Sequence, residues 1–149
     1  MKVEICSRKA IKDLMEKGFP QNVAVISFYT PSNKWEGMQS PVDYSGLRAN
    51  VFYVDVPDID IEILADYGYT YESYLAQTDE LAKFIYEAKA NGHDIICQCD
   101  YGQSRSAACA AAILQHFEGR GIDIFADYRY CPNQLVYYKI FNALKNYKV

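Results

Sequence analysis

The residues with the clearest chemistry lie between the apolar segment 95–97 and an alanine-rich segment that follows Ser106. Five residues separate Cys99 from Arg105, and Gly102 lies midway between them. A short loop that leads into a helix can direct several backbone N–H groups at one anion, and the helix dipole adds positive potential there. Gly102 permits a backbone conformation that other residues resist, and Arg105 can donate two parallel hydrogen bonds to phosphate oxygens. The pattern predicts a phosphate cradle.

Cys99 lies at the start of this cradle, as the last residue of a predicted strand. The thiolate is the reactive form of cysteine, and the amides and helix dipole that hold a phosphate also stabilise a thiolate. Cys99 is therefore predicted to be a nucleophile that faces a bound phosphorus atom. The chain has five cysteines, an odd number, and no pair with CxxC spacing, which argues against a disulfide framework and a structural zinc site. Cys97 is interpreted as a core residue, and Cys109 and Cys131 are interpreted as core or helix-packing residues.

The run Cys-Asp-Tyr-Gly-Gln-Ser-Arg-Ser from 99 to 106 resembles the signature loop of the protein tyrosine and dual-specificity phosphatase superfamily. That signature is His-Cys-x-x-Gly-x-x-Arg-Ser/Thr, and the Gly-x-Ser-Arg-Ser ending is similar to that of dual-specificity enzymes and small bacterial members. The resemblance extends over roughly residues 50–146 and includes Pro132-Asn133 at the start of the last helix. Residues before it fit only as generic sheet and helix.

The resemblance implies a two-step reaction without a metal or other cofactor. Cys99 attacks phosphorus and forms a phosphocysteine, Arg105 holds the phosphate oxygens, and Ser106 hydrogen-bonds the sulfur and eases its departure. A carboxylic acid protonates the leaving oxygen and then activates water. The predicted substrate-binding residues are those of the loop itself: Asp100, Tyr101, Gly102, Gln103, Ser104 and Arg105.

Three aspartates upstream of the loop are candidates for the general acid. The superfamily places its acid on a loop after a strand, in a pattern like apolar-x-apolar-x-Asp, and 54–58 fits that pattern with Asp58 as the acid. Asp60 follows closely, and Asp66 is nearer the usual distance from the cysteine. Asp58 is the first choice, with Asp60 and Asp66 as alternatives.

One position departs from the superfamily signature. Gln98 stands where the signature has the histidine that precedes the nucleophile. A glutamine side chain can still hydrogen-bond, but it cannot carry charge. The expected consequence is lower activity or a less activated thiolate, while the nucleophile, cradle and arginine are kept.

The elements around the loop predict an α/β fold. Apolar runs predict strands over 3–6, 22–29, 50–56 and 94–99, and apolar periodicity or capping residues predict helices over 7–18, 71–90, 104–117 and 132–143. This alternation favours three layers, with a mainly parallel central sheet of four or five strands flanked by helices. The length of 149 residues fits a single domain over 1–149.

Charge and composition restrict the partners. The net charge of −4 disfavours nucleic acid and anionic membranes, so any anion site must be local. No leader-like or membrane-spanning apolar run occurs, and we expect a cytoplasmic protein that acts on a phosphorylated protein or peptide. His93 and His116 lack neighbours at metal-ligand spacing. The loop interior 100–104 holds no lysine or second arginine, which makes a phosphoinositide substrate less suitable.

Two other functions are compatible with the same residues. Rhodanese-type sulfurtransferases also place a cysteine loop at a helix N-terminus, although their loop is commonly shorter and lacks the Ser-Arg-Ser ending. A phosphate-binding module with little catalysis would suit Gln98 and the unsettled acid. Several aromatic residues could line a phosphotyrosine cleft, but packing of loops is the more common role of such residues: Trp35, Tyr67, Tyr69 and Tyr71.

Overall fold

The structure, a computed structural model, describes residues 1–31 and 40–149. Trp35, a candidate cleft residue, lies outside these residues. Four strands form one parallel sheet in the order β1-β4-β2-β3. Their bounds are Val3–Cys6 (β1), Val23–Tyr29 (β2), Asn50–Asp55 (β3) and Asp94–Gln98 (β4). The prediction of an α/β fold with a parallel central sheet is therefore confirmed, with four strands in the described part of the chain.

The two central strands are apolar almost throughout because both faces of the sheet are covered. Alternate residues of β2 point to opposite faces, so Val25 packs in one core cluster and Ile26 in the other. On one face lies the helix α1 (Arg8–Lys17), which buries Ile11 against this sheet. The other face carries the larger cluster and the remaining long helices, α2 (Thr78–Ala90), α3 (Arg105–Glu118) and α5 (Gln134–Asn146).

The helix α3 is the central helix of the larger face. Its residues from Arg105 to Leu114 are all buried, and half of them are alanines. Small side chains let a helix backbone lie close to its neighbours, and α3 packs closely against α5 and the sheet. A short helix, α4 (Ile122–Phe125), which the sequence patterns did not predict, links α3 to the segment before α5.

The predicted start of the second long helix at residue 71 is wrong. Residues 71–77 form turns, and the helix α2 begins at Thr78. Thr70 and Ser73 exchange hydrogen bonds between side-chain hydroxyls and backbone N–H groups, at 2.8 and 3.1 Å, which closes a local turn. Leu75 has a φ of +54°, a left-handed conformation that no α-helix contains. Periodicity alone could not reveal either feature.

The order of the sheet determines where the loop after β4 lies. Since β4 lies between β1 and β2, its carboxyl end is bordered by the ends of both neighbours. Gln98 pairs with Cys6 on one side and Ser27 on the other. Ligands in open parallel sheets bind beyond the carboxyl ends of the strands. Among the described residues, no helix is long and apolar enough to cross a membrane.

Candidate active site

The loop from Cys99 to Ser104 lies against the junction between β1 and α1. The Cys99 N–H donates to the Cys6 carbonyl at 3.2 Å, and the Arg8 N–H donates to the Asp100 carbonyl at 3.1 Å. Gly102 has a φ of +68°, and a Cβ there would lie only 2.7 Å from the Ser7 nitrogen. Both the conformation and the close approach require glycine. The loop is thus packed against the backbone of Cys6 and Ser7.

Cys99 is almost fully buried at the base of this loop, with 2% of its surface exposed. Its Sγ lies 3.0 Å from the Oγ of Ser106, which belongs to the first turn of α3 and is also buried. A hydroxyl at this distance can donate to a thiolate, and a charge-assisted hydrogen bond of that kind stabilises the sulfur anion. The pairing that the resemblance implied for Cys99 and Ser106 is present in the geometry.

Arg105 is buried, and its guanidinium is only partly used by the protein. Its Nη1 donates to Thr30 Oγ1 at 3.0 Å and to the Val56 carbonyl at 2.7 Å. Its Nε is buried without a hydrogen-bond partner among the described residues, and its Nη2 lies 3.7 Å from Asp100 Oδ2. A buried N–H without a partner is costly. The Nε–Nη2 edge is therefore suited to receive an oxyanion bidentately.

Asp58 contacts the loop, whereas Asp60 and Asp66 do not within the described residues. Ser104 Oγ and Asn133 Nδ2 each donate to Asp58 Oδ1 at 2.8 Å. Asp60 precedes a 3₁₀ helix (Ile61–Ile63) and Asp66 lies in a second one (Ala65–Tyr67), both with exposed side chains. Of the three candidate acids, Asp58 is the one tied directly to the cradle.

Asn133 and Tyr74 position Asp58, and neither was predicted to do so. Asn133 caps α5 through Val136 N at 3.0 Å, while its Nδ2 also donates to the Ile59 carbonyl at 3.1 Å. The Tyr74 hydroxyl, fully buried, donates to the Pro57 carbonyl at 2.7 Å, and burial raises the pKa of this phenol. The sequence predicted only that Asn133 lies at the start of the last helix.

Gln98 lies below the loop and makes two hydrogen bonds. The hydroxyls of Ser27 and Tyr44 donate to its Oε1 at 2.5 and 2.9 Å. Burial raises the pKa of Tyr44, so this phenol stays a donor at neutral pH. The Nε2 of Gln98 has no partner among the described residues. The side chain that replaces the signature histidine is thus fixed, neutral and incompletely satisfied.

Of the other residues predicted to bind substrate or line a cleft, some lie in the loop and others lie outside it. Tyr101 is 84% exposed, and the Gln103 carbonyl accepts from Cys131 N at 2.8 Å. Tyr69 packs edge-on against Tyr74, with ring centroids 5.8 Å apart. Tyr71 lies under the Lys139 ammonium, 4.7 Å from its ring centroid.

Cys97 and Cys131 were both predicted to pack in the core or against a helix, and this prediction is wrong for Cys131, which is exposed. Cys97 is fully buried, and its pKa is raised by a hydrogen bond with Cys109 and by burial. Cys97 therefore has the character of a core thiol. Over residues 1–31 and 40–149, no group of three or more His, Cys, Asp or Glu side chains is arranged to hold a metal ion.

The fold of this chain is similar to that of known proteins. No protein-family model and no curated protein sequence matches the chain. Human DUSP28 superimposes with a TM-score of 0.58 at 17% identity, over 96% of this chain and 91% of that one. PTPMT1 in complex with PI(5)P gives 0.56 at 15%, over 97% and 90%. The human tyrosine phosphatase-like serine/threonine/tyrosine-interacting protein gives 0.51 at 16%, over 91% and 83%. The chain therefore has the fold of the tyrosine and dual-specificity phosphatases, as the resemblance of its Cys99 loop predicted.

Proposed function

We propose that this chain is a cysteine-dependent phosphatase that removes phosphate from phosphorylated proteins, with phosphotyrosine as the main substrate and dual specificity as the open alternative. The observation that carries the proposal is the buried Arg105 edge, whose Nε lacks a hydrogen-bond partner among the described residues, in the same seven-residue loop as Cys99. The Cys99–Ser106 contact of 3.0 Å adds a means to stabilise the sulfur anion. A dianion in this loop would satisfy Arg105 and lie next to a nucleophile.

In the first step, the Cys99 thiolate attacks phosphorus, and the bond from phosphorus to the substrate oxygen breaks. Asp58, in its acid form, gives its proton to that leaving oxygen. Arg105 and the loop amides hold the three nonbridging oxygens, where charge is spread in the transition state. The product of this step is a phosphocysteine and a free hydroxyl on the substrate.

In the second step, water attacks phosphorus and the sulfur–phosphorus bond breaks. The Asp58 carboxylate, held by Ser104 and Asn133, takes a proton from that water. The departing sulfur leaves as a thiolate, and the Ser106 hydroxyl stabilises it by donating a hydrogen bond. Inorganic phosphate is released and the enzyme returns to its starting state.

The substrate class is proposed from the charges of the loop. Its interior carries Asp100 and no lysine, which disfavours a substrate with several phosphates close together. PTPMT1, which shares the fold, was crystallised with the phosphoinositide PI(5)P. The charge pattern here favours a single phosphate on a protein side chain instead.

The proposal is tested by hydrolysis of an aryl phosphate, such as p-nitrophenyl phosphate. We expect turnover by the wild type, none above background for Cys99→Ser, and unchanged turnover for the matched control Cys131→Ser. Cys131 is exposed, and its backbone N–H donates to the Gln103 carbonyl of the loop, a hydrogen bond that serine keeps. Equal rates for the wild type and Cys99→Ser would contradict the proposal.

A phosphate-binding module is the second candidate, and Gln98 is the observation that favours it. Its neutral side chain replaces the histidine of the signature, and its Nε2 has no hydrogen-bond partner in residues 1–31 and 40–149. A binding module would hold a phosphopeptide tightly in both wild type and Cys99→Ser, without turnover in either. A phosphatase would turn the peptide over in the wild type and only bind it in Cys99→Ser.

A further inference from the structure

Asp100, the first residue after the nucleophile, lies between two arginines. Its Oδ1 accepts from Arg8 Nε at 3.1 Å and lies 3.1 Å from Arg8 Nη2. Its Oδ2 lies 3.7 Å from Arg105 Nη2. The contact with Arg8 is a close hydrogen-bonded ion pair, while the contact with Arg105 is longer and has no hydrogen bond. One carboxylate is thus shared unequally between the loop arginine and an arginine of α1.

Arg8 is itself firmly placed. Its side chain is only 13% exposed, and its Nη2 donates to the Ser40 carbonyl at 2.6 Å. Its backbone N–H donates to the Asp100 carbonyl at 3.1 Å, so side chain and backbone hold the same loop residue. Because these contacts hold the planar Arg8 guanidinium in place, the guanidinium in turn holds the Asp100 carboxylate that it binds.

The position of Asp100 matters because a carboxylate and a phosphate dianion would compete for Arg105. The edge of Arg105 available to an oxyanion is formed by Nε and Nη2, and Nη2 is the atom nearest Asp100. A carboxylate free to turn would pair with that edge and repel an incoming dianion. Arg8 compensates the charge of Asp100 and keeps its Oδ1 turned away.

Resting on the proposed phosphatase site, we infer that Arg8 is a positioning residue for phosphate binding. It holds Asp100 away from Arg105 so that the Nε–Nη2 edge stays open to the substrate dianion. Arg8 acts through Asp100 and does not itself contact phosphate. Its loss therefore weakens phosphate binding only when residue 100 carries a carboxylate.

The test is a double-mutant cycle for inorganic phosphate binding, measured by calorimetry in Cys99→Ser protein. Arg8→Met removes the charge and keeps an apolar stem, and Asp100→Asn removes the carboxylate charge at constant shape. We expect Arg8→Met to weaken binding about tenfold in the Asp100 background and less than about twofold in the Asp100→Asn background. Lys17→Met, the same charge change at an exposed residue in the last turn of α1, should change binding by less than about twofold.

The outcomes separate Arg8 from the site as a whole. Equal losses from Arg8→Met in both backgrounds, or no loss in either, would overturn the inference while leaving the phosphate site intact. Absence of phosphate binding in every protein, the Cys99→Ser parent included, would contradict the proposed function itself. If Arg8→Met does not fold, Asp100→Asn alone decides: binding as tight as in the parent or tighter supports the inference, and a tenfold loss overturns it.

Kinetics in the Cys99 enzyme give a second measure that a merely structural role would not reproduce. Arg8→Met should raise the KM for an aryl phosphate by about the factor seen for phosphate binding, with a smaller change in kcat. Arg8→Lys should recover part of the loss because it restores charge without the planar fork. A fall in kcat at constant KM would contradict a role in substrate binding.

Discussion

At the scale of single residues, Cys99, Arg105 and Ser106 lie in one contiguous segment, whereas the hydrogen bonds that hold Asp58 come from distant residues. Cys99, Arg105 and Ser106 were predicted from one contiguous motif, and in the structure the Cys99 and Ser106 side chains are 3.0 Å apart while the Arg105 guanidinium is buried. Asp58, Asp60 and Asp66 looked alike in the sequence. What distinguishes Asp58 is its contact with Asn133, which lies far along the chain. Local spacing cannot reveal a partner that only the fold brings near.

Replacing Asp58 by asparagine should slow catalysis according to the leaving group. We expect kcat/KM for phosphotyrosine peptide, which reports the first step, to fall about 100-fold or more, the usual contribution of a general acid. The fall in kcat/KM should be much smaller for an aryl phosphate with an acidic phenol, because that leaving oxygen needs little protonation. Rates measured over a series of phenols would show this dependence. Asp60→Asn is the matched control, and a larger loss there would reassign the acid.

At the scale of elements, Gly102 shows how the loop depends on its neighbours. The pattern of the motif required glycine, but the reason became visible only where the loop meets the junction of β1 and α1. The same holds for Asn133, which begins α5 and also holds Asp58. Strands and helix types were predictable from period and caps. The start of α2 was not, because Leu75 and the Thr70–Ser73 turn follow no periodic pattern.

Gly102→Ala should cost more than the same change at a glycine with open space. Gly119 has the same φ of +68°, but a Cβ there meets nothing within 4 Å, so Gly119→Ala measures the backbone strain alone. That strain is about 1–2 kcal/mol, and the contact with Ser7 should add at least about as much again for Gly102→Ala. Urea unfolding would measure both. Equal losses of stability in the two variants would mean that residue 102 does not pack closely against the Ser7 backbone.

The two roles of Asn133 can be separated by comparing serine and alanine. Both variants lose the Nδ2 hydrogen bonds to Asp58 and the Ile59 carbonyl. Because serine still caps a helix, Asn133→Ala should lose about 1 kcal/mol more in free energy of unfolding than Asn133→Ser. Neither side chain reaches Asp58, so kcat should fall in both variants. Urea unfolding and steady-state kinetics give the two measures. An Asn133→Ser enzyme with full kcat would show that Asp58 needs no support from α5.

At the scale of the whole molecule, the fold could be predicted because it depends on the order of strands and helices along the whole chain. Alternation of strand and helix, with apolar central strands, leads to a parallel sheet covered on both faces. The acidic balance of −4 was also evident from sequence. Neither property reveals the Arg8–Asp100 contact, because it joins residues at the ends of strands that become neighbours only in the sheet.

The net charge of −4 should make substrate capture depend on salt. An acidic phosphopeptide is repelled at long range, and salt screens that repulsion, with a Debye length that shortens from about 30 Å at 0.01 M to about 10 Å at 0.1 M. We expect kcat/KM for an acidic peptide to rise over this range relative to that for a neutral peptide. Steady-state rates for both peptides in one salt series provide the check. A parallel response of the two peptides would contradict this effect.

The central claim is that Cys99 carries the phosphoryl group during turnover. Acid quenching of the enzyme with an aryl phosphate in the steady state, followed by intact mass and peptide mapping, tests it most directly. The account predicts one added phosphoryl group on the peptide that contains Cys99, in the wild type and in Cys131→Ser, and none in Cys99→Ser. Turnover with the phosphoryl group on another residue, or with no covalent intermediate under conditions that preserve phosphocysteine, would contradict it.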